Sequence, residues 1–320
     1  MKKVFNRLFS GSNSIRNSLA SNVKLRTSNI FNIRTTSKLF FSLTTGALTY
    51  SLYSQYSSGE PLSAKSVEQI KDPLYRSKNK VPLGDNKNVL IFSGTSNTEL
   101  ASEVADRLGH TLGKAKIKKF ADGEINIQIL DSIRGKDVYI IQPTSPPVNE
   151  NLVELLLMIS TFKRTSAKKI TAIIPYYGYG RADRKMNSRV PISAADTAKM
   201  LETMGVDRVM AVDLHAGQIQ GFFGPSIPVD NLESQITMAE SLLKDDQYIS
   251  DFNNLVIVSP DAGGVYRAKH FAEILSNRTQ ANVGLTMIVK QRLKANEVAK
   301  MELVGNVKGH DCIIVDDMID

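Results

Sequence analysis

The sequence predicts an α/β fold built on mainly parallel sheets, and two observations carry that expectation. Short apolar, β-branched runs recur along the chain, and stretches with helical spacing lie between them. Strands that read as continuous apolar runs, joined by amphipathic helices, are the pattern of a sheet buried on both faces. The runs are VLIF at 89–92, VYII at 138–141, ITAII at 170–174, RVMAV at 208–212, LVIV at 255–258, a run at 283–289, and CIIV at 312–315. The helical stretches fall at about 97–108, 149–163, 193–204, 233–244 and 263–275. In the first, Leu100, Ala101, Val104, Ala105 and Leu108 repeat at intervals of three and four, which places them on one helical face. The segment 115–130 departs from this pattern. It alternates around Asp122-Gly123 and predicts a β-hairpin. VDLH (212–215) and VDDM (315–318) each follow an apolar run about a hundred residues apart, which fits two related α/β units.

The composition is that of a globular chain: 320 residues, 42% hydrophobic and 22% charged. A single cysteine, Cys312, excludes an internal disulfide and a cysteine-type zinc site. His110, His215, His270 and His310 show no metal-ligand spacing such as H-E-x-x-H. The net charge is +8, yet residues 1–59 carry Lys2, Lys3, Arg7, Arg16, Lys24, Arg26, Arg34 and Lys38 and no acidic residue. The remaining chain is therefore balanced, and no nucleic-acid partner is expected.

Residues 1–59 read as a transit-peptide-like leader, with a disordered Asn/Ser-rich tail as the alternative. Val4, Phe5, Leu8 and Phe9 alternate with Lys2, Lys3 and Arg7, and a second apolar patch, Ile15 and Leu19, flanks Arg16. A basic, acid-free amphipathic segment of this kind predicts mitochondrial import, with a cytoplasmic location as the alternative. The stretch 39–53 is apolar but diluted by Ser and Thr, and shorter than the ~20 residues a membrane span needs, so no anchor is expected. Residues 60–87 read as a linker, 88–231 as a first domain and 232–320 as a second.

In open parallel sheets, ligands sit at the carboxyl ends of the strands, and four polar clusters fall there: PYYGYGRADRK from Pro175, DLHAGQ from Asp213, SPDAGG from Ser259 and DDMID from Asp316. Asp316, Asp317 and Asp320 suit vicinal hydroxyls or a cation, or else form an acidic turn or helix cap. Asp261, followed by Gly263 and Gly264 and a helix start, suits a magnesium-bound phosphate, or is itself a cap. His215 beside Asp213 is a ligand or proton carrier, or a satisfied, partly buried histidine. Arg181, Arg184, Lys185 and Arg189 suffice for a polyphosphate clamp, or line a solvated loop. Lys290, Arg292 and Lys294 follow another strand and carry the same two readings. Neither a G-x-x-x-x-G-K-[ST] loop nor a usable G-x-G-x-x-G is present.

Read together, FSGTSN (92–97), KKFADGEINI (118–127), RGKDVYIIQ (134–142), GRADRK (180–185), VDLHAGQIQGFF (212–223), IVSPDAGG (257–264), KANEV (294–298) and IIVDDMID (313–320) resemble the ribose-phosphate diphosphokinase family, also called phosphoribosyl pyrophosphate synthetases. The resemblance runs from about Val89 to Asp320. It implies two phosphoribosyltransferase-like domains, the second incomplete. It also implies transfer of the β,γ-diphosphoryl group of magnesium ATP to the anomeric hydroxyl of ribose 5-phosphate. On that resemblance Phe120, Asp122 and Glu124 belong to the adenine pocket, supplied across a subunit interface, and Arg181 and Asp183 to the ATP site. His215 and Asp261 hold Mg2+. Lys290 and Arg292 are catalytic and lie on a mobile loop. Asp316, Asp317 and Asp320 bind the ribose phosphate. Ser132, Arg134, Ser166 and Gln220 match a regulatory phosphate site. The family implies a homo-oligomer, from dimer to hexamer, or a hetero-oligomer with related subunits.

The sequence departs from the family at several places. Ala182 stands where Gln is usual, Met186 where a charged residue is usual, and Gly217 where Ser is common. The chain ends at Asp320, inside the ribose-phosphate motif, so strand 312–315 is expected to lack neighbours. The alternative implied by these departures is a non-catalytic, synthetase-associated regulatory subunit or an inactive fragment.

Overall fold

The structure is a computed structural model that describes residues 88–243, 249, 251–291 and 300–319. The leader, the linker, Arg292, Lys294 and Asp320 lie outside the described residues, as does the side chain of Lys290. The described residues form two compact units, which divide between Ser234 and Gln235.

In the first unit, five parallel strands form one sheet in the order β1 (Val89–Ser93), β4 (Asp137–Ile141), β5 (Lys169–Ile174), β6 (Arg208–Val212) and β7 (Val229–Leu232). The expected hairpin forms separately from β2 (Ala115–Lys119) and β3 (Ile125–Ile129). Its turn closes through Gly123 N–H donating to the Phe120 carbonyl at 3.0 Å. Gly123 has φ +92°, a conformation other residues adopt only at a cost.

Three helices pack on this sheet. In α1 (Thr98–Arg107), the Asn97 side chain accepts from Leu100 N–H at 3.0 Å and so satisfies one orphan donor of the first turn. α2 (Val148–Arg164) and α3 (Ser193–Met204) lie against one sheet face. There Leu152, Leu155, Ile159 and Phe162, with Ala198 and Leu201, meet Phe92, Val138, Ile140, Ile170 and Ala172. Each fully buried side chain of this size contributes about 1.5–3 kcal/mol. Phe92 and Phe162 pack with ring centroids 4.8 Å apart. α3 stops where Gly205 takes a left-handed conformation, φ +97°.

In the second unit, four strands lie in the order β10 (Lys300–Val304), β9 (Gly284–Gln291), β8 (Leu255–Ser259) and β11 (Asp311–Ile314). β8 runs parallel to β9 and β11, and β10 runs antiparallel to β9. The terminal run therefore does not lack neighbours, contrary to the sequence expectation. Its backbone pairs with β8 from Asp311 opposite Leu255 to Ile314 opposite Val258. α4 (Gln235–Leu242) and α5 (Val265–Thr279) belong to this unit. Ala268, Phe271, Ala272 and Leu275 of α5 bury against Leu255, Ile257, Val283 and Val315.

β7 and β10 were not evident as strands. β7 is four half-buried residues, and KMELV in β10 has helical composition. Pairing with a formed neighbour decides both, since strand preference depends strongly on context.

Candidate functional site

In the first unit, the loops after β1, β4, β5 and β6 all leave the carboxyl edge of one parallel sheet. The loop after β1 is held by two buried side chains that sequence reasoning missed. The Glu154 carboxylate of α2, 4% exposed, accepts from Thr95 N–H and Thr95 Oγ1, both at 2.6 Å, and from Gln142 Nε2 at 3.0 Å. Gln142 is fully buried, and its Oε1 accepts from Ser96 N–H at 3.2 Å. Gly94 lies against both: a Cβ there would overlap the Gln142 amide and sit 2.7 Å from Glu154 Oε1. The signal in the sequence was Asn151 and Glu154, two polar residues three apart on an otherwise apolar helical face.

The loop after β5 begins with Gly178 N–H donating to Thr144 Oγ1 at 2.6 Å and with Tyr177 OH donating to the Ala194 carbonyl at 3.1 Å. Burial pushes the Tyr177 phenol well above its ordinary range, so it stays a donor. Arg181, Arg184, Lys185 and Arg189 are exposed on this loop. Asp183, expected among ATP-binding residues, is buried, and its carboxylate accepts from Gln218 Nε2 at 2.5 Å. It ties the cationic loop to the segment after β6, and its carboxylate is turned inward. The Ala182 N–H donates to the Tyr179 carbonyl at 3.0 Å, which keeps the turn closed without a larger side chain at that position.

After β6, Asp213 takes a left-handed conformation, φ 45°, held by Ser234 N–H and Ser234 Oγ donating to its carboxylate. This turn puts His215 in an exposed position. At the hairpin tip Phe120 is 55% exposed, and Glu124 N–H donates to Asp122 Oδ1 at 3.0 Å. Lys119 pairs with Glu150 in the first turn of α2, so the tip stands beside the carboxyl end of β4. Phe120, Asp122 and Glu124 thus lie at the hairpin tip, and Arg181 and His215 on the loops after β5 and β6 of the same unit.

Ser132, Arg134, Ser166 and Gln220 are not brought together within this unit. Gly135 N–H donates to the Ser166 carbonyl at 2.9 Å, which joins the first three at the amino ends of β4 and β5. Gln220 lies in the 3-10 segment Gly217–Phe222 that follows β6, and its amide donates to the Gly217 carbonyl at 3.1 Å.

In the second unit, the turn from β8 to α5 is closed by its own side chains. Ser259, fully buried, donates to the Asp261 carbonyl at 2.7 Å, and Gly264 N–H donates to Asp261 Oδ1 at 3.0 Å. A Cβ on Gly264 would lie 2.9 Å from Ser259 Oγ, so this close turn requires glycine. Asp261 is therefore a cap through one oxygen, with the other available to a ligand. After β11, Asp317 N–H donates to Asp316 Oδ1 at 2.9 Å, and Arg267 Nη1 donates to Asp317 Oδ1 at 3.0 Å. Burial first, then the hydrogen bond and negative charge of Asp317 and the charge of Asp261, push Asp316 up to about 6, against the Asp317 backbone N–H. Lys290, expected on a mobile loop after a strand, lies instead within β9, because its backbone pairs opposite Met301 of β10.

Among the described residues, no group of three or more His, Cys, Asp or Glu is arranged to hold a metal ion. The donors present suit a cation that arrives on a polyphosphate, since Mg2+ keeps several waters and takes only one or two protein carboxylates. Asp261, with one oxygen fixed and Asp316 nearby, fits that demand.

Two α/β units carry charged loops at the carboxyl edges of parallel strands, and comparison with known proteins gives the class they belong to. Residues 230–320 match the phosphoribosyl transferase domain. Residues 89–205 match the N-terminal domain of ribose phosphate pyrophosphokinase. The ribose-phosphate pyrophosphokinase of Helicobacter pylori is 49% identical over 230 residues, 72% of this chain and 68% of the relative. That of Clostridium perfringens is 48% identical over 235 residues, 73% of this chain and 70% of the relative. A crystal structure of phosphoribosylpyrophosphate synthetase from Mycobacterium smegmatis superposes with a TM-score of 0.65 at 40% identity, covering 73% of this chain and 72% of that one. The chain belongs to the ribose-phosphate pyrophosphokinase family.

Proposed function

We propose that this chain transfers the diphosphoryl group of magnesium ATP to the C1 hydroxyl of ribose 5-phosphate, giving phosphoribosyl pyrophosphate and AMP for nucleotide biosynthesis. The observation that carries the proposal is the pairing of two matched domains with charged strand-end loops in each. The C1 hydroxyl oxygen attacks the β-phosphorus, the bond from that phosphorus to the α,β-bridging oxygen breaks, AMP leaves with the bridging oxygen, and the hydroxyl proton is released.

Such a displacement needs positioning and charge neutralisation more than covalent help. Phe120 stacks on the adenine, and Asp122 and Glu124 accept its amino hydrogens. Arg181 meets the phosphates, while Asp183 holds the loop that carries it. His215 and Asp261 would each offer a donor to the magnesium that accompanies the nucleotide, and magnesium would supply charge neutralisation on the phosphoryl oxygens. Lys290 and Arg292 stabilise the group in flight. Asp316, Asp317 and Asp320 receive the pentose and its phosphate. The active assembly is a homo-oligomer or a hetero-oligomer with related subunits, and the split of Gln220 from Ser132, Arg134 and Ser166 supports a regulatory site completed by a second copy.

The test is AMP release from ATP by the full chain. The proposal expects release that requires both ribose 5-phosphate and magnesium, and release without the sugar overturns it. The leader is proposed to direct mitochondrial import. A reporter fused behind residues 1–59 that stays in the cytosol contradicts that reading.

A further inference from the structure

The two adjacent carboxylates after β11 are not equivalent. The Asp317 side chain is 6% exposed and the Asp316 side chain 34%. The difference has a visible cause in α5, where Arg267 stands in the first turn after the SPDAGG turn. Its side chain, 17% exposed, donates from Nη1 to Asp317 Oδ1 at 3.0 Å and stands 4.0 Å from Asp316 Oδ1. A guanidinium so placed is anchored by the helix beneath it, whose neighbouring residues Ala268 and Phe271 are fully buried. The pair therefore joins α5 to the loop after β11.

We infer that Arg267 is a positioning residue of the pentose site: it ties Asp317 to α5 and so fixes the orientation in which the adjacent Asp316 and Asp317 carboxylates meet the sugar hydroxyls. This rests on the function proposed above and goes further, because it assigns to a helix residue outside the acidic motif the task of holding that motif in place. Burying the Asp317 carboxylate is costly unless a cation is paired with it. Arg267 supplies that cation to Asp317. The Asp317 backbone N–H in turn donates to Asp316 Oδ1, which fixes the outer carboxylate through the inner residue. The chain of contacts runs from helix to Arg267, from Arg267 to Asp317, and from Asp317 to the oxygen that meets the sugar.

Arg267→Gln and Arg267→Lys in the full chain test this, with ribose 5-phosphate and ATP varied separately. Loss of a charge-assisted hydrogen bond to a ligand-holding loop predicts a rise in KM for ribose 5-phosphate on the order of tenfold or more in Arg267→Gln. KM for ATP stays unchanged, kcat falls by less than about threefold, and Arg267→Lys recovers part of the loss. The double variant Arg267→Gln/Asp317→Asn is no worse than the poorer single variant, because both remove one contact. A KM for ribose 5-phosphate that stays at the wild-type value in an active Arg267→Gln protein overturns the inference. So does a fall in kcat with KM unchanged for both substrates, which is the signature of a merely structural arginine. A wild-type chain that releases no AMP overturns the functional reading itself, and the pentose role of Arg267 with it.

Discussion

Gly94→Ala is expected to destabilise the first unit strongly, because the added methyl has nowhere to go. Its Cβ would overlap the Gln142 amide and lie 2.7 Å from Glu154 Oε1. Neither side chain can retreat easily. Gln142 is fully buried and donates to the Asn151 carbonyl and to Glu154, and Glu154 is held by both Thr95 donors. The glycine has no positive φ, so the overlap and not backbone strain sets the effect. Overpacking costs about 1–3 kcal/mol, and loss of the Ser96–Gln142 and Thr95–Glu154 bonds adds about 2 kcal/mol. The total, about 3–5 kcal/mol, corresponds to a fall in Tm of roughly 6–20 °C for a unit of this size. Thermal unfolding followed by circular dichroism reads it directly. Gln142→Ala opens the space, so Gly94→Ala/Gln142→Ala should melt above the value that adding the two single losses gives. A Gly94→Ala protein that melts within about 2 °C of wild type refutes the reasoning.

Three further outcomes are expected. Lys290→Ala or Arg292→Ala should lower turnover by about a hundredfold or more while far-UV circular dichroism is unchanged, as removal of a transition-state charge partner does; near-normal turnover rejects the role of either residue. Phe120→Ala should raise KM for ATP about three- to tenfold through lost stacking, with KM for ribose 5-phosphate unaffected, and an unchanged KM for ATP removes Phe120 from the nucleotide site. Asp316 has a folded pKa near 6, above its ordinary 3.8, so its ionisation opposes folding. The stability tied to this group is full below 3.8 and lost as pH rises through 6. Asp316→Asn should therefore raise Tm fully above pH 7, with a gain that shrinks progressively as pH falls from 6 towards 3.8, and a Tm gain that is the same at pH 7 and at pH 4 rejects the shift.

The strands and helices with repeating apolar residues were legible because burial on a sheet face imposes a period that the sequence must show. Thus Leu100 to Leu108 and the runs before Asp213, Ser259 and Asp316 could be read directly. β7 and β10 were hidden because their neighbours, not their own residues, make them strands. Arg181, Arg184, Lys185 and Arg189 are exposed on a strand-end loop and Phe120 at the hairpin tip, positions that the strand and hairpin patterns imply. The roles of Glu154, Gln142 and Arg267 were not legible, because each acts through a partner distant in sequence: Thr95 for Glu154, Ser96 for Gln142, Asp317 for Arg267. Asp183 shows the same limit: beside its ion pair with neighbouring Arg184 it accepts a bond from Gln218, a residue distant in sequence.

The central claim is that two phosphoryl units move together onto the pentose. Phosphorus NMR of the reaction of the full chain with ATP, magnesium and ribose 5-phosphate labelled with heavy oxygen at C1 tests it most directly. The account predicts AMP and a C1 diphosphate in equal amounts, with the label retained between carbon and phosphorus. ADP with a singly phosphorylated sugar, or nucleotide cleavage that proceeds without the sugar, would contradict it.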